Sequence, residues 1–154
     1  LITSLRLALS RRFSPVLDYA GLGDELGDEA ATPRSVAEAV IRIRRRKLPD
    51  PGLVGNVGSF FKNPVVETAE GEELLSRHPG KTKLSAGWMI EACGLKGVKQ
   101  GGARVSEQHA LVLVNEGGAS GHDVSALSVQ VRKAVYETFG IHLEPEPRLI
   151  DFSD

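Results

Sequence analysis

The longest unbroken apolar run in this chain is short, extending only from Ala110 to Val114. A helix that spans a bilayer needs about 20 apolar residues, so this run excludes a membrane span of that kind. It predicts a buried strand, which the sequence NEGG that follows would end in a turn. The chain must therefore cover a short buried strand with amphipathic helices, and the strongest helical pattern follows directly at Val124, Leu127, Val131 and Val135.

Three other segments carry helix signals. Thr32 is in the position of an N-cap, Pro33 suits the first helical turn, and Pro49 would end that helix. Residues 67–78 predict a short helix. Residues 85–94 predict another, with Ser85 as its cap and Gly94 just past its end. The last helix, which contains Val124, would close at Gly140.

Alternating patterns predict strands at residues 1–9, 58–66 and 141–150, in addition to the buried strand, and residues 97–105 read as a flexible loop. Strands and helices then alternate irregularly along the chain. This order predicts an α+β fold of two layers, in which a small, mainly antiparallel sheet packs against helices. Because the first strand begins at residue 1, we expect its neighbours to lie upstream in a longer protein. The acidic, glycine-containing residues 14–33 would form the joint after that strand.

The composition of the chain excludes several classes of function. The chain of 154 residues has a formal net charge of -1, which offers no general attraction for nucleic acid or for an anionic membrane. Its single cysteine, Cys93, cannot form an internal disulfide, and no spacing of cysteine and histidine indicates a metal site. These features indicate a cytoplasmic protein without a nucleic-acid or membrane partner.

The segment Arg42–Lys47 concentrates positive charge at the end of the first long helix. One interpretation is a solvated helix end, where cations favour the helix dipole, and the other is a ligand-binding role. Lys47 differs from its neighbours because it shares a helix face with Val36, Val40 and Ile43. Its ammonium group is therefore predicted to emerge beside the core, near the glycines that begin at Gly52.

The sequence GNVGSFFKNPVV, residues 55–66, uses glycines to lead into one serine. A two-residue period places Ser59 and Asn63 on one face of a strand, which indicates either a polar site or an ordinary edge strand ending at Pro64. A triad of Ser59 with a histidine and an acid is open in principle, with His78, His109, His122 and His142 as candidates. Of these, only His109, at the mouth of the buried strand, is expected near a cleft.

Three motifs in order resemble one family. The stretches KLPDP…GNVGSFFKNPVV, SAGWMIEACGLKG and LEPEPRLI resemble the C-terminal part of the UDP-N-acetylenolpyruvoylglucosamine reductases. The family is also called UDP-N-acetylmuramate dehydrogenase. These cytoplasmic flavoenzymes use FAD and NADPH to make UDP-N-acetylmuramate for peptidoglycan, and thus serve cell-wall biogenesis, cell shape and cell division. The resemblance implies that residues 1–20 are the last strand and exit of an FAD-binding domain. It also implies that residues 21–154 are the substrate-binding domain.

The resemblance also implies residue roles. Ser59 would donate a proton to the substrate carbon, Glu146 would be the second catalytic residue, and Gly58 would approach the cofactor. The substrate, UDP-N-acetylglucosamine enolpyruvate, would be bound by Tyr19, Arg44, Lys47, Asn63, Lys96, Gln108 and His109.

The sequence departs from this family at two places. The flavin-binding region is absent, and with it a catalytic arginine that the family places there. The segment 75–83 is shorter than expected, and a tyrosine that contacts substrate in part of the family is not found there. A second function therefore stays open: a stand-alone module that binds a UDP-sugar or regulates without redox activity.

Overall fold

The structure, a computed structural model, describes residues 3–19, 21–65, 68–77 and 84–150. The chain divides into two compact units, residues 1–46 and 47–154. Within the described part of the chain, no helix combines the length and the apolar character needed to cross a membrane. Residues 78–83, which include His78 and most of the segment 75–83 that is shorter than expected, lie outside the described residues.

The first unit is built on two helices, α1 (Leu22–Leu26) and α2 (Pro33–Lys47), and the last residue of α2 begins the second unit. Thr32 caps α2 as predicted, because its Oγ1 accepts a hydrogen bond from the backbone N–H of Ser35 at 3.1 Å. Helix α1 was not predicted from the connector sequence. It forms because its apolar residues pack against α2 in a small core of Leu22, Leu26, Ala39 and Ile43.

Two members of the basic cluster at the end of α2 serve this unit. Glu25 of α1 accepts a hydrogen bond from Arg42 Nε at 2.6 Å and another from the Arg46 guanidinium. These two hydrogen bonds, that from Arg46 foremost, lower the pKa of Glu25 to about 2. Arg42 and Arg46 therefore hold the two helices together at their surface.

The second unit contains one antiparallel sheet of four strands in the order β1-β4-β3-β2. The fold class predicted from the sequence, α+β with a small antiparallel sheet against helices, is confirmed. The strands are β1 (Gly55–Ser59), β2 (Lys99–Gln100), β3 (Ala103–Val105) and β4 (Val112–Asn115).

Three helices accompany the sheet: α3 (Thr68–Ser76), α4 (Ala86–Ala92) and α5 (Gly121–Phe139). Helix α5 packs on β2, β3 and α4. The predicted cap of α4 and the predicted end of α5 are confirmed, whereas α3 ends at Ser76, before the predicted end at residue 78. Ser85 caps α4 by accepting from Trp88 N, and Gly140 closes α5 in the left-handed conformation with φ 71°. The core joins both layers through Met89, Ile90, Val105, Leu113, Leu127 and Val131.

Three predictions about strands are corrected by the structure. Residues 3–9 form no helix or strand, and their leucines are exposed, because no described segment pairs with them. Residues 141–150 form a single bridge, Pro145 to Phe61, since the prolines on either side of Glu146 supply no N–H for a longer ladder. The predicted flexible loop at 97–105 contains instead the hairpin of β2 and β3.

Candidate active site

A bulge in β1 sets the direction of Ser59. Asn56 pairs with Val114 and Ser59 pairs with Val112, so β1 uses one more residue than β4 over the same interval. Gly58 lies in this interval with φ +78°, a conformation that favours glycine, and its N–H donates to Asn56 Oδ1 at 3.0 Å. Glycine suits this position because it adopts a positive φ readily. The bulge that it helps to form brings Ser59 to an exposed position at the end of the strand.

The strand predicted over residues 58–66 is wrong beyond Ser59, because β1 ends there, and the predicted alternation of the following residues is wrong as well. Phe60 and Phe61 are both buried, and their rings meet edge to face with centroids 5.1 Å apart. The chain leaves the sheet after Phe60, whose N–H donates to Leu111 O, and Phe61 then bridges to Pro145. Two anchored aromatic side chains therefore fix the backbone immediately after Ser59.

Ser59 and Glu146 line the same cleft, which has a volume of about 360 Å³ and also includes Val57 and Pro147. The two segments are joined by backbone hydrogen bonds, from Glu146 N to Phe60 O and from Lys62 N to Glu144 O, each 2.9 Å. The structure thus brings together the two residues predicted to be catalytic, although they lie far apart in sequence. We call this depression the serine cleft.

A second depression, the lysine cleft, has a volume of about 330 Å³. It gathers four residues that were predicted to bind substrate: Asn63, Lys96, Gln108 and His109. An extended chain rises by at most about 3.6 Å per residue, so the four steps from Ser59 to Asn63 place these Cα atoms within about 14 Å of each other. The two clefts therefore have lining residues less than about 14 Å apart.

Local hydrogen bonds orient two side chains of the lysine cleft. Asn63 Oδ1 accepts from Ala86 N at the start of α4, at 3.1 Å. His109 Nδ1 accepts from Leu111 N at 3.3 Å, so a neutral imidazole carries its proton on Nε2. In both side chains the acceptor atom is used within the protein, and the atoms that remain, the Asn63 amide NH₂ and His109 Nε2–H, are donors. The cleft is therefore suited to a ligand rich in acceptors, such as a phosphate.

The electrostatic environment of His109 agrees with this. Burial lowers the pKa of His109, and the positive charges of Lys47 and then Lys96 lower it further, whereas Glu91 opposes them. Lys47 therefore acts on this cleft electrostatically, and the predicted direction of its side chain toward Gly52 stays a prediction. Two lysines against one glutamate leave an excess of positive charge around His109, and this excess favours an anion in the cleft.

We expect an NMR titration of His109 to give a midpoint below the ordinary value of about 6.5. Replacing Lys96 with methionine should raise this midpoint, because one nearby cation is removed, and adding UDP to the unaltered protein should raise it as well. Because the unfolded chain binds the proton more readily, the contribution of His109 to stability should fall as pH drops below about 6.5.

His142 provides the internal control for this titration, because its ring stacks on Tyr136 at 4.1 Å and lies outside the lysine cleft. Its chemical shifts should be the same with and without the Lys96 substitution. A His109 midpoint that does not respond to Lys96 would contradict the arrangement described above.

The other predicted residues are placed as follows. Tyr19 and Arg44 belong to the first unit, where both are exposed, and their role in binding stays a prediction. No histidine occurs among the described residues that line the serine cleft, and His109 lines the other cleft. The structure therefore gives no support to a triad centred on Ser59.

Sequence reasoning missed two residues of the lysine cleft, Glu91 and Gly87. A Cβ on Gly87 would lie 3.3 Å from Leu111 Cγ and 3.8 Å from His109 Cε1, so glycine lets the segment 109–111 approach α4 closely. A glycine in the first turn of a predicted helix was the available signal for this contact. No sequence signal pointed to Glu91.

Comparisons with known proteins agree with these motifs. Residues 50–150 match the family model described as UDP-N-acetylenolpyruvoylglucosamine reductase, C-terminal domain. Proteins named UDP-N-acetylenolpyruvoylglucosamine reductase are 46% identical to this chain in Chromobacterium violaceum and 48% identical in Burkholderia vietnamiensis. These alignments cover 97% and 95% of this chain, and 48% and 46% of the relatives' own length.

The chain therefore spans about half the length of the curated relatives that it matches. Among solved structures, the UDP-N-acetylenolpyruvylglucosamine reductase from Thermus caldophilus is 32% identical, with a TM-score of 0.47. That match covers 73% of this chain and 32% of the other.

Proposed function

This chain belongs to the UDP-N-acetylenolpyruvoylglucosamine reductase family, and we propose that it is the C-terminal, substrate-binding part of such an enzyme. The reaction is the NADPH-dependent reduction of UDP-N-acetylglucosamine enolpyruvate to UDP-N-acetylmuramate, a step of peptidoglycan synthesis in the cytoplasm. The observation that carries the proposal is the meeting of Ser59 and Glu146 in one cleft. The domain division proposed from the sequence, residues 1–20 and 21–154, belongs to the same proposal.

The surroundings of Ser59 fit a flavin that approaches from one side. Gly58 has no Cβ, and open space lies where one would be, so a planar ring can approach the backbone beside the serine. When bound, reduced FAD supplies a hydride to the methylene carbon of the enolpyruvyl group. FAD would be held mainly by a region outside this chain, and NADPH is the reductant.

Ser59 completes the reduction by donating its hydroxyl proton to the carbon beside the substrate carboxylate. That carbon is far more basic than an alkoxide once it carries negative charge, so even a weak acid can protonate it. The step depends on position, because the hydroxyl must lie within hydrogen-bond reach of one carbon. The bulge at Gly58 and the buried phenylalanines that follow provide this position.

Glu146 acts on the same intermediate from the opposite segment. Its side chain lines the serine cleft, where it can contact the enolpyruvyl group of the substrate. The backbone hydrogen bond from Glu146 N to Phe60 O holds it beside Ser59. Both proposed catalytic residues therefore line one cleft.

The lysine cleft binds the nucleotide sugar. Lys96, with the donors of Asn63 and His109, faces acceptor atoms such as those of the diphosphate, and Lys47 adds positive charge nearby. Gln108 lines the same cleft. A role for Tyr19 and Arg44 in substrate binding is proposed from the family resemblance alone.

The test is turnover by a full-length protein that carries this chain. We expect NADPH oxidation to require UDP-N-acetylglucosamine enolpyruvate, and mass spectrometry to find a product with two additional hydrogen atoms. A protein that bound the substrate without reducing it would favour the alternative, a UDP-sugar-binding module without redox activity.

A further inference from the structure

One ion pair in the lysine cleft has no part in the mechanism above. Lys96 Nζ lies 3.2 Å from Glu91 Oε1. Glu91 is on α4, and Lys96 follows in the turn after it. Gly94 and Gly97 on either side of this turn have φ +68° and +79°. The left-handed glycines allow the chain to fold back, so that the ammonium group of Lys96 meets the carboxylate of the preceding helix.

The pair lies where a ligand anion would bind. Among the described residues that line the lysine cleft, Glu91 carries the only carboxylate, whereas Lys96, Asn63 and His109 offer donors. A phosphate bound in this cleft would therefore contact the same ammonium group that Glu91 contacts. Glu91 and such a ligand compete for Lys96.

The exposure of the two side chains decides which partner moves. The Glu91 side chain is 61% exposed, and that of Lys96 is 33% exposed. An ion pair open to solvent is worth little, because water solvates a released carboxylate well. Glu91 can therefore turn into solvent at small cost, while the half-buried stem of Lys96 keeps its ammonium group at the cleft.

We propose that Glu91 is the resident counter-ion of Lys96, which it releases when the phosphate of a nucleotide sugar binds. This inference rests on the proposed function for the identity of the ligand. Substrate and product carry the same diphosphate, so the competition weakens the binding of both. A cleft without Glu91 would hold the product longer, and Glu91 thus promotes product release.

Two independent features support this role. Lys96 lowers the pKa of His109 and Glu91 raises it, so the three groups lie close enough to interact electrostatically. In addition, Asn63 and His109 have their acceptor atoms engaged within the protein, so neither competes with a ligand for Lys96. Glu91 Oε1 is the acceptor to which the Lys96 ammonium group donates in this structure.

The test compares Glu91→Gln with unaltered protein, both full-length, with UDP as the probe and isothermal titration calorimetry as the measurement. The substitution keeps the size of the side chain and removes its charge. We expect UDP to bind about 3- to 10-fold more tightly at low ionic strength, since the lysine no longer has a competing carboxylate. KM for the enolpyruvyl substrate should fall, and kcat should fall as well where product release limits turnover.

The matched control is Glu137→Gln, which removes the same charge from an exposed pair with Lys133 on α5, outside the cleft. Its affinity for UDP should equal that of the unaltered protein. A double-mutant cycle with Lys96→Met tests the pairing itself, and in that background Glu91→Gln should change affinity by less than about twofold.

Equal affinity of Glu91→Gln and Glu137→Gln for UDP would overturn the proposal. Weaker binding by Glu91→Gln would overturn it too, and would make Glu91 a residue that positions Lys96 for the ligand. A gain that persists without Lys96 would mean general repulsion, not competition. Because UDP binding needs no turnover, a protein that fails to reduce the enolpyruvyl substrate would refute the proposed function and still allow this test.

Discussion

Replacing Ser59 with alanine should leave the reduction of flavin by NADPH unchanged and slow the reduction of the enolpyruvyl substrate by about 10²–10⁴-fold. The first half-reaction needs no proton at the substrate carbon, whereas the second ends with one. This range is the usual contribution of a positioned general acid. Because the Ser59 side chain is exposed, the substitution should change the free energy of unfolding by no more than about 0.5 kcal/mol.

Stopped-flow absorbance separates the two half-reactions. Bleaching of the flavin by NADPH reports the first, and recovery of its colour on adding the enolpyruvyl substrate reports the second. Ser76→Ala is the matched control, since Ser76 is an exposed serine at the end of α3 whose hydroxyl donates only locally, to Glu73 O. Both phases should be unaffected in the control.

The outcomes discriminate among roles for Ser59. Equal slowing of both phases would mean that Ser59 maintains the flavin site. Unchanged recovery would mean that another residue, or water, delivers the proton. Ser59→Cys should recover part of the rate, because a thiol is the stronger acid but also the larger group.

The helices were predictable because their signals are local. The residues that cap α4 and close α5, Ser85 and Gly140, act on backbone groups only a few residues away. An apolar face is likewise contained within one helix, as with Val131 and Val135 in α5. Helix α1 escaped prediction because it is only five residues long and is stabilised by packing on α2.

The strands were less predictable because a strand is defined by its partner. The two residues of β2 and three of β3 are too few to display an alternating pattern, and they exist through pairing with each other and with β4. After Ser59 the chain leaves the sheet and Phe61 bridges to Pro145, so the two-residue period ends and both phenylalanines turn inward. Residues 3–9 have an alternating pattern but form no strand, because no segment of the described structure pairs with them.

The residues of the candidate site also fall into those that the sequence indicated and those that it did not. Residue patterns singled out Ser59, Lys47 and His109, and resemblance to a family supplied Glu146 and most of the binding residues. Neither indicated that Glu91 contacts Lys96, because the turn between them depends on backbone conformations at Gly94 and Gly97. A contact of this kind depends on the three-dimensional path of the backbone and leaves no pattern in the sequence.

The turn between β2 and β3 should be the most sensitive position for stability. A Cβ on Gly102 would lie 2.6 Å from the backbone N of Ala119 and 2.7 Å from its Cα, and backbone atoms cannot rotate away. This contact lies beside the start of α5, where Ser120 and Asp123 form a capping box. Gly102 O also accepts from Glu116 N at 3.1 Å, so displacement of the turn would disturb the end of β4 as well.

We therefore expect Gly102→Ala to lower the free energy of unfolding by about 2–4 kcal/mol, as for overpacking in a rigid environment. In a chain of this size each kcal/mol shifts the melting temperature by about 2–4 °C, so thermal unfolding followed by circular dichroism should show a fall of about 5–15 °C. Gly121→Ala is the matched control, because Gly121 begins α5 and a Cβ there would meet nothing within 4 Å. The control should melt within a few degrees of the unaltered protein or slightly higher, since alanine favours a helix over glycine. If Gly102→Ala melted at the same temperature as the unaltered protein, the hairpin would not be packed against Ala119. The start of α5 would then not stabilise β3 and β4.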